Sequence, residues 1–187
     1  MTDITSAKIL ILATDGFEQS ELMVPLEKLR EAGATVEVAS PDGRPIRGWN
    51  DKDWGERVDA DRRIADVDPA AYDALVLPGG QINPDVLRVD ADAMRVVKAM
   101  VASGKTVAAI CHGPWLLVEA GAVRGKRVTS YKSIRTDMEN AGGRWVDEEV
   151  VVDGGLITSR KPDDLPAFVA KIIEEVEEGR HEPRKVA

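Results

Sequence analysis

The stretch "KTVAAICHGPWLLVEAG", residues 105–121, decides the fold, because it joins a buried strand to a helix through two rare residues. The run "KTVAAI" (105–110) is short and apolar, which is typical of a strand buried on both faces. The run "PWLLVEAG" (114–121) has proline in its first turn and glycine just past its end, as helices often do. Between them stand Cys111, the only cysteine of the chain, and His112, one of two histidines.

Short apolar runs alternate with amphipathic segments along the rest of the chain. The pattern predicts strands at 8–14, 34–40, 73–80 and 105–110, and helices at 26–33, 90–104, 114–121, about 133–141 and 163–179. It also predicts a hairpin and loop within 41–68, a second hairpin at 149–159, and Pro25 as the start or a kink of the first helix. This alternation predicts a mostly parallel sheet with helices on both faces.

Length and composition narrow the class of protein. A chain of 187 residues fits a single domain, 1–187, with a core at about 8–176 and a charged, frayed tail at 179–187. The net charge of −8 and the aromatic content of 4% argue against nucleic acid as a stable partner. The sequence predicts no membrane helix and no signal peptide. A lone cysteine excludes an internal disulfide and a thiolate metal cluster, and it fits a cytoplasmic protein.

Cys111 has two interpretations. At a sharp strand-to-helix turn its side chain is thrust outward, as in a nucleophile elbow, and the first amides of helix 114–121 would lower its pKa. The alternative is a small buried core residue. Position and neighbours favour the reactive interpretation.

Residues near Cys111 in the predicted fold carry weaker signals. The backbone N–H groups of His112 and of Gly80, in "LPGG", could form an oxyanion hole, although "LPGG" alone favours a plain turn. Glu18, three residues after Asp15, fits a helix cap better than a carboxyl hydrogen-bonded to the Cys111 sulfur. Such a carboxyl beside a thiolate must be partly protonated, because two charges would repel.

The second histidine, His181, lies in the charged tail and is interpreted as a solvated surface residue. The region 159–164, "SRKPDD", contains no histidine. A glutaminase triad of cysteine, histidine and glutamate would need one there. The sequence therefore argues against glutaminase chemistry.

Taken together, these segments resemble the ThiJ/PfpI family of the class I glutamine-amidotransferase-like superfamily. The resemblance covers about residues 8–176 and rests on "DGFEQSEL", "YDALVLPGG", "GKTVAAICHGPWLL", "AGAVRGKRVTSY" and "VVVDGGLITSRKPDDLPAF", in that order. It implies a flavodoxin-like three-layer α/β/α sandwich and a homo-oligomer, a dimer or a larger ring.

The resemblance also implies roles for individual residues. It makes Cys111 the nucleophile, Glu18 the carboxyl that contacts its sulfur, and His112 the base. It places the oxyanion hole at the amides of Gly80 and His112. Tyr131 matches a site aromatic, and Gly79, Gly113 and Tyr131 are the implied substrate-binding residues.

One departure from the family concerns a glutamate that a neighbouring subunit supplies to orient the histidine in the archaeal peptidases. The nearest alignment puts Ala91 there, flanked by Asp90 and Asp92, whose shorter side chains reach less far. An imidazole without an orienting partner is a weaker base. This argues against efficient peptide hydrolysis.

Three functions follow from the resemblance. The leading one is a stress-response enzyme without a cofactor or metal, which acts on small carbonyl compounds or glycated protein in a glyoxalase or deglycase reaction. The second is a cysteine peptidase or amidase that uses Cys111 and His112. The third, of another class, is a non-enzymatic redox sensor or chaperone through oxidation of Cys111.

Overall fold

A seven-stranded central sheet organises the chain, and a computed structural model describes residues 3–186. Within these residues the strands are β1 (Lys8–Leu12), β2 (Phe17–Glu18), β3 (Thr35–Ser40), β4 (Ile46–Asn50), β5 (Asp53–Val58), β6 (Arg62–Arg63), β7 (Ala74–Leu77), β8 (Thr106–Ile110), β9 (Arg127–Val128), β10 (Arg144–Trp145), β11 (Val150–Asp153) and β12 (Leu156–Ser159). The helices are α1 (Gln19–Glu31), α2 (Ile82–Leu87), α3 (Ala91–Ala102), α4 (Pro114–Glu119), α5 (Arg135–Asn140) and α6 (Leu165–Glu178).

The central sheet has the order β11-β12-β8-β7-β1-β3-β6. Its pairs are parallel except β11, which runs antiparallel to β12. Side chains of one strand alternate between two cores: Ile9 and Ile11 of β1 pack in the core with α1 and α6, whereas Leu10 and Leu12 pack in the core with α3 and α4. Burial on both faces explains the continuous apolar runs. The predicted flavodoxin-like three-layer α/β/α fold is confirmed.

The first helix begins earlier than the sequence pattern predicts. It starts at Gln19, so Pro25 lies inside α1 and does not start it. Glu18 caps this helix, and the Asp15 carboxylate instead accepts a hydrogen bond from the Arg47 N–H at 2.6 Å. The start of α1 is therefore set by Glu18, whose side chain caps the first turn. Pro25 is buried in the interior of the helix.

The predicted hairpin within 41–68 is confirmed as β4 and β5, which join β2 in a small separate sheet. Trp49 and Trp54 face each other across it, with ring centroids 5.5 Å apart and an edge-to-face arrangement. Because β2 pairs with β4, the hairpin is anchored at the entrance to α1. The structure adds the short helix α2 after "LPGG", which the pattern does not predict.

The tail also differs from the expectation of a frayed segment. Arg184 is buried, and its guanidinium donates to the carbonyls of Val101, Lys105 and Gly154. These carbonyls belong to three different parts of the fold, so the tail is docked at Arg184, whereas Glu182, Pro183, Lys185 and Val186 are exposed. Within residues 3–186, no helix is long and apolar enough to cross a membrane.

Candidate active site

Cys111 lies at a nucleophile elbow where β8 ends. Its φ of +62° is a left-handed conformation that non-glycine residues rarely adopt. Its N–H donates to the Ser159 carbonyl at 3.1 Å, and its carbonyl accepts from the Tyr131 N–H at 2.8 Å. These bonds hold the strained turn between the two neighbouring loops. The Cys111 residue is only 6% exposed.

The carboxyl beside this cysteine belongs to Glu21 and not to Glu18. Glu21 is fully buried in the first turn of α1, and its Oε2 accepts from the Gly79 N–H at 2.9 Å. A Cβ placed on Gly79 would lie 2.4 Å from this oxygen and 2.6 Å from the Cys111 Cβ. The carboxyl faces the Cys111 sulfur, and within residues 3–186 its other oxygen, Oε1, has no other hydrogen-bond partner.

Glu18 has the capping role that its position in the sequence favours. Its Oε2 accepts from the Glu21 N–H at 2.9 Å and from the Ser20 hydroxyl at 2.5 Å. Because the Glu18 side chain caps its own helix, it is directed back along the backbone. The Glu21 side chain, about one turn later, reaches the sheet. The structure thus corrects the predicted contact from Glu18 to Glu21, three residues further on.

Burial controls the electrostatics of the Glu21–Cys111 pair. It raises the pKa of the Glu21 carboxyl to about 8, and the charge of Glu18 adds to this rise. Burial and the Glu21 charge raise the pKa of the Cys111 thiol, against the opposing hydrogen bonds from the amides of Gly80 and His112. The amides thus act in the expected, lowering direction, but burial and the Glu21 charge outweigh them, so the net pKa of the thiol is raised rather than lowered. The two groups share protons, so a protonated Glu21 favours the thiolate by removing the repulsion.

His112 lies against the nucleophile. Its Nδ1 is 3.1 Å from the Cys111 sulfur, and its Nε2 is 3.0 Å from the Ser133 hydroxyl. Its ring stacks on Tyr131, with centroids 4.9 Å apart. Burial lowers the pKa of His112, which favours a neutral imidazole that can accept the thiol proton. Ser133 was not singled out by the sequence, because a serine in a loop carries no pattern of its own.

The backbone amides of Gly80 and His112 lie close enough to the Cys111 sulfur to oppose the rise of its pKa, and an oxyanion hole at these two amides stays a prediction. Gly80 has a φ of +79°, and a Cβ there would lie 2.5 Å from the Gly16 carbonyl oxygen. The "LPGG" turn therefore requires glycine at this position.

Two of the predicted substrate-binding residues, Gly79 and Gly113, are buried. Gly79 is buried against Glu21, and a Cβ on the buried Gly113 would lie 2.4 Å from the Leu77 carbonyl oxygen. Protein atoms fill the space that a side chain would need at both, and a contact between their backbone and the substrate stays a prediction. Tyr131, by contrast, is 41% exposed and lies at the rim of the site.

Within one chain, the aspartates beside Ala91 serve their own helix. Asp90 caps α3 by accepting from the Ala93 N–H at 2.9 Å, and Asp92 lies 3.8 Å from Arg95. The described side chain that contacts the distal nitrogen of His112 is Ser133. A contribution from a neighbouring subunit stays a prediction.

Comparison with known proteins places this arrangement in a family. The model of the DJ-1/PfpI family matches residues 7–175. The chain belongs to the DJ-1/PfpI family. A protein of Thermococcus kodakarensis named as a deglycase is 45% identical over 166 residues, which cover 89% of this chain and 97% of that protein. The Escherichia coli protein named protein/nucleic acid deglycase 2 is 46% identical over 165 residues, 87% of this chain and 94% of that protein.

A solved structure shares the fold. A two-domain protein of Anabaena variabilis, with DJ-1/ThiJ/PfpI-like and ferritin-like domains, superposes with a TM-score of 0.87 at 36% identity. The match covers 92% of this chain and 48% of that one. All the site residues described above lie within the DJ-1/PfpI match, whereas the docked tail begins after residue 175, where that match ends.

Proposed function

We propose that the chain is a cysteine-dependent deglycase or glyoxalase that acts on small carbonyl compounds or on glycated adducts. The observation that carries the proposal is a thiol that is 6% exposed and lies between a buried carboxyl and two converging amides. A nucleophile with so little exposed surface is reached by a compact aldehyde more readily than by a peptide bond within a chain. Relatives at 45% and 46% identity carry the name deglycase.

For methylglyoxal the proposed reaction is a balanced hydration to lactate. The Cys111 thiolate adds to the aldehyde carbon, and the carbonyl oxygen takes a proton to give a hemithioacetal. A proton then moves from the former aldehyde carbon to the neighbouring carbon through an enediol, which leaves a thioester. Water cleaves the thioester, and lactate and the thiol are released.

Glu21 is the proposed proton carrier for these steps. A pKa of about 8 lets its carboxyl both donate and accept a proton near neutral pH. Its unpartnered Oε1 leaves one oxygen for this exchange. This role replaces the one that the resemblance implied for Glu18.

The proposal assigns the developing oxyanion to the amides of Gly80 and His112, and the substrate's approach to the exposed face of Tyr131. The lowering effect of both amides on the pKa of the Cys111 thiol supports this assignment. The lone cysteine supports action in a reducing compartment, and a stress role in the cytoplasm is part of the proposal.

The contacts of His112 favour a second candidate, a cysteine peptidase or amidase. In that reaction His112 takes the Cys111 proton across 3.1 Å, and the Ser133 hydroxyl at 3.0 Å orients the ring. The low exposure of the thiol argues against large substrates.

We also propose a homo-oligomer, as the family resemblance implies. Ile82, Val86 and Val89 are exposed apolar side chains in and after α2, next to the "LPGG" turn. Light scattering at micromolar concentration is expected to give a dimer or a larger assembly, and a monomer would contradict this part of the proposal.

The experiment that tests the function is methylglyoxal consumption with lactate detection, for the wild-type chain and for Cys111→Ser. Lactate production that the substitution abolishes is the expected result. A fluorogenic peptide is assayed in parallel. A wild-type chain that makes no lactate would overturn the proposal, and peptide cleavage lost in His112→Ala would then establish the second candidate.

A further inference from the structure

The carboxyl end of α6 carries a concentration of negative charge. Its last turns contain Glu174, Glu175, Glu177 and Glu178, and no basic residue lies in the last turn. The negative end of the helix dipole adds to this charge. A cation is therefore favoured at this end of the helix.

Three metal-ligating side chains meet there. Glu175, Glu178 and His181 each offer one donor atom, and these atoms lie within 4.8 Å of one another. The Glu175 side chain is 7% exposed and that of His181 is 25% exposed, which corrects the expectation of a solvated histidine. Glu178 is exposed and free to change rotamer.

His181 packs closely against two glycines, Gly104 and Gly155. Its N–H donates to the Gly104 carbonyl at 2.9 Å. A Cβ on Gly104 would lie 2.2 Å from the His181 carbonyl oxygen, and a Cβ on Gly155 would lie 2.4 Å from the His181 Cδ2. The imidazole is thus held beside α6 by close backbone packing on two sides.

The two buried donor atoms lack hydrogen bonds. The Glu175 Oε2 and the His181 Nε2 are 2.8 Å apart and form an ion pair when the imidazole is protonated, yet among the described residues neither atom has a well-aligned hydrogen bond. The ring nitrogen is therefore not directed along the line to the oxygen. Each of the two atoms therefore has a lone pair that a bound ion could use. A buried carboxylate oxygen without a well-aligned partner is costly unless something binds it.

We propose that Glu175, Glu178 and His181 bind a zinc ion that fastens the tail to α6. Imidazole nitrogen and carboxylate oxygen are zinc ligands with bonds of about 2.0–2.2 Å, so tetrahedral donor atoms lie about 3.3 Å apart. On zinc binding, the distance of 2.8 Å between the Glu175 Oε2 and the His181 Nε2 increases by about 0.5 Å, and the Glu178 side chain changes rotamer to reach the ion. Glu178 is exposed, so the ion reaches the cluster from solvent on that side, which also leaves room for a water ligand.

The zinc site is separate from the site of chemistry. Gly104 and Gly155 precede β8 and β12, whereas Cys111 follows β8, so the two sites lie at opposite edges of the sheet. Five residues of strand separate these edges by roughly 17 Å. Glu178 and His181 also lie beyond the family match, which ends at residue 175.

Zinc titration followed by NMR of the imidazole protons tests the proposal, because the chain has only two histidines. We expect one equivalent of Zn²⁺ to shift the His181 resonances and to leave those of His112 unchanged, with the same result in Cys111→Ser. Mg²⁺ at equal concentration is expected to give no such shift, because its preferred ligands are oxygens.

Calorimetric titration of variants supplies the matched control. Glu178→Gln should weaken Zn²⁺ binding at least tenfold, whereas Glu177→Gln, on an exposed neighbour outside the cluster, should change it less than twofold. His181→Asn should abolish one-equivalent binding. Equal weakening by the two glutamine variants would overturn the proposal as general attraction to an acidic helix end, and so would a shift of His112 alone or no binding at millimolar Zn²⁺.

Discussion

At the scale of single residues, the site depends on a carboxyl held where water cannot solvate its charge. Glu21 is fully buried, and burial raises its pKa to about 8. Between its ordinary pKa of 4.5 and about 8, the folded chain keeps a proton that the unfolded chain releases. Glu21 therefore lowers the stability of the fold progressively as the pH rises through this range.

Glu21→Gln should accordingly stabilise the protein at pH 8 but not at pH 4.5. The neutral amide can keep the hydrogen bond from the Gly79 N–H and has no charge to desolvate. The gain in free energy of unfolding should grow by up to about 1.4 kcal/mol per pH unit between these limits. Urea unfolding at pH 4.5, 6 and 8 measures it, and a difference that does not change with pH would contradict the assignment.

Ser133 offers a test of the imidazole's role. Ser133→Ala removes the hydroxyl at 3.0 Å from the His112 Nε2, so turnover should fall by up to about tenfold if His112 moves a proton. The melting temperature should stay the same, because Ser133 is exposed. Ser133→Thr keeps the hydroxyl and should retain activity. Equal rates in all three proteins would show that His112 does not need this partner.

At the scale of elements, the site is made where three strands end. The "LPGG" turn after β7, the elbow after β8 and the entrance to α1 after β1 meet at one edge of the sheet, as expected for parallel α/β folds. The turn approaches the α1 entrance so closely that a Cβ on Gly80 would also lie 2.7 Å from the Glu18 nitrogen. The amides that face the sulfur are therefore fixed by backbone packing.

Gly80→Ala should destabilise the fold and reduce turnover. The control is Gly125→Ala, because Gly125 also has a positive φ of +74° but has no atom within 4 Å of its added Cβ. Gly125→Ala should cost about 1–2 kcal/mol, the strain of the left-handed conformation alone. Gly80→Ala should cost more in chemical unfolding, by the energy of the clash. Equal costs would contradict the close approach.

Strands buried on both faces could be predicted from the sequence. Which of the two glutamates at the start of α1 contacts the Cys111 sulfur could not. The runs that form β1, β7 and β8 are apolar because both faces are packed. Glu18 and Glu21 are both acids at a helix start, and only the position of the helix against the sheet decides which reaches the sulfur. The docked tail was missed because Arg184 bonds to backbone carbonyls, which leave no pattern in the sequence.

At the scale of the whole molecule, the carboxyl and amino ends of the parallel strands carry different features. The carboxyl edge carries the nucleophile, and the amino edge receives the tail. Burial lowers the pKa of the Arg184 guanidinium to about 10, and its donors satisfy carbonyls of α3, of the segment before β8 and of the β11–β12 turn. The tail therefore ties together elements that are distant in sequence.

Arg184→Ala should lower the free energy of unfolding by about 1–3 kcal/mol, because buried carbonyls lose a charged donor. Arg184→Lys should not restore the loss, since an ammonium lacks the fork that reaches three carbonyls. Lys185→Ala, at an exposed neighbour, is the control and should change little. Chemical denaturation measures all three, and an Arg184→Ala protein as stable as the control would contradict the docking.

The central claim is that Cys111 works with Glu21, and the most direct test is a matched pair of glutamine variants. Glu21→Gln and Glu18→Gln each remove one carboxylate, three residues apart on the same helix start, and Gln at 18 can still accept the capping hydrogen bonds. Lactate production from methylglyoxal should fall at least a hundredfold in Glu21→Gln, as for loss of a general acid–base group, and less than threefold in Glu18→Gln. The reverse order, or equal rates in both variants, would contradict the account.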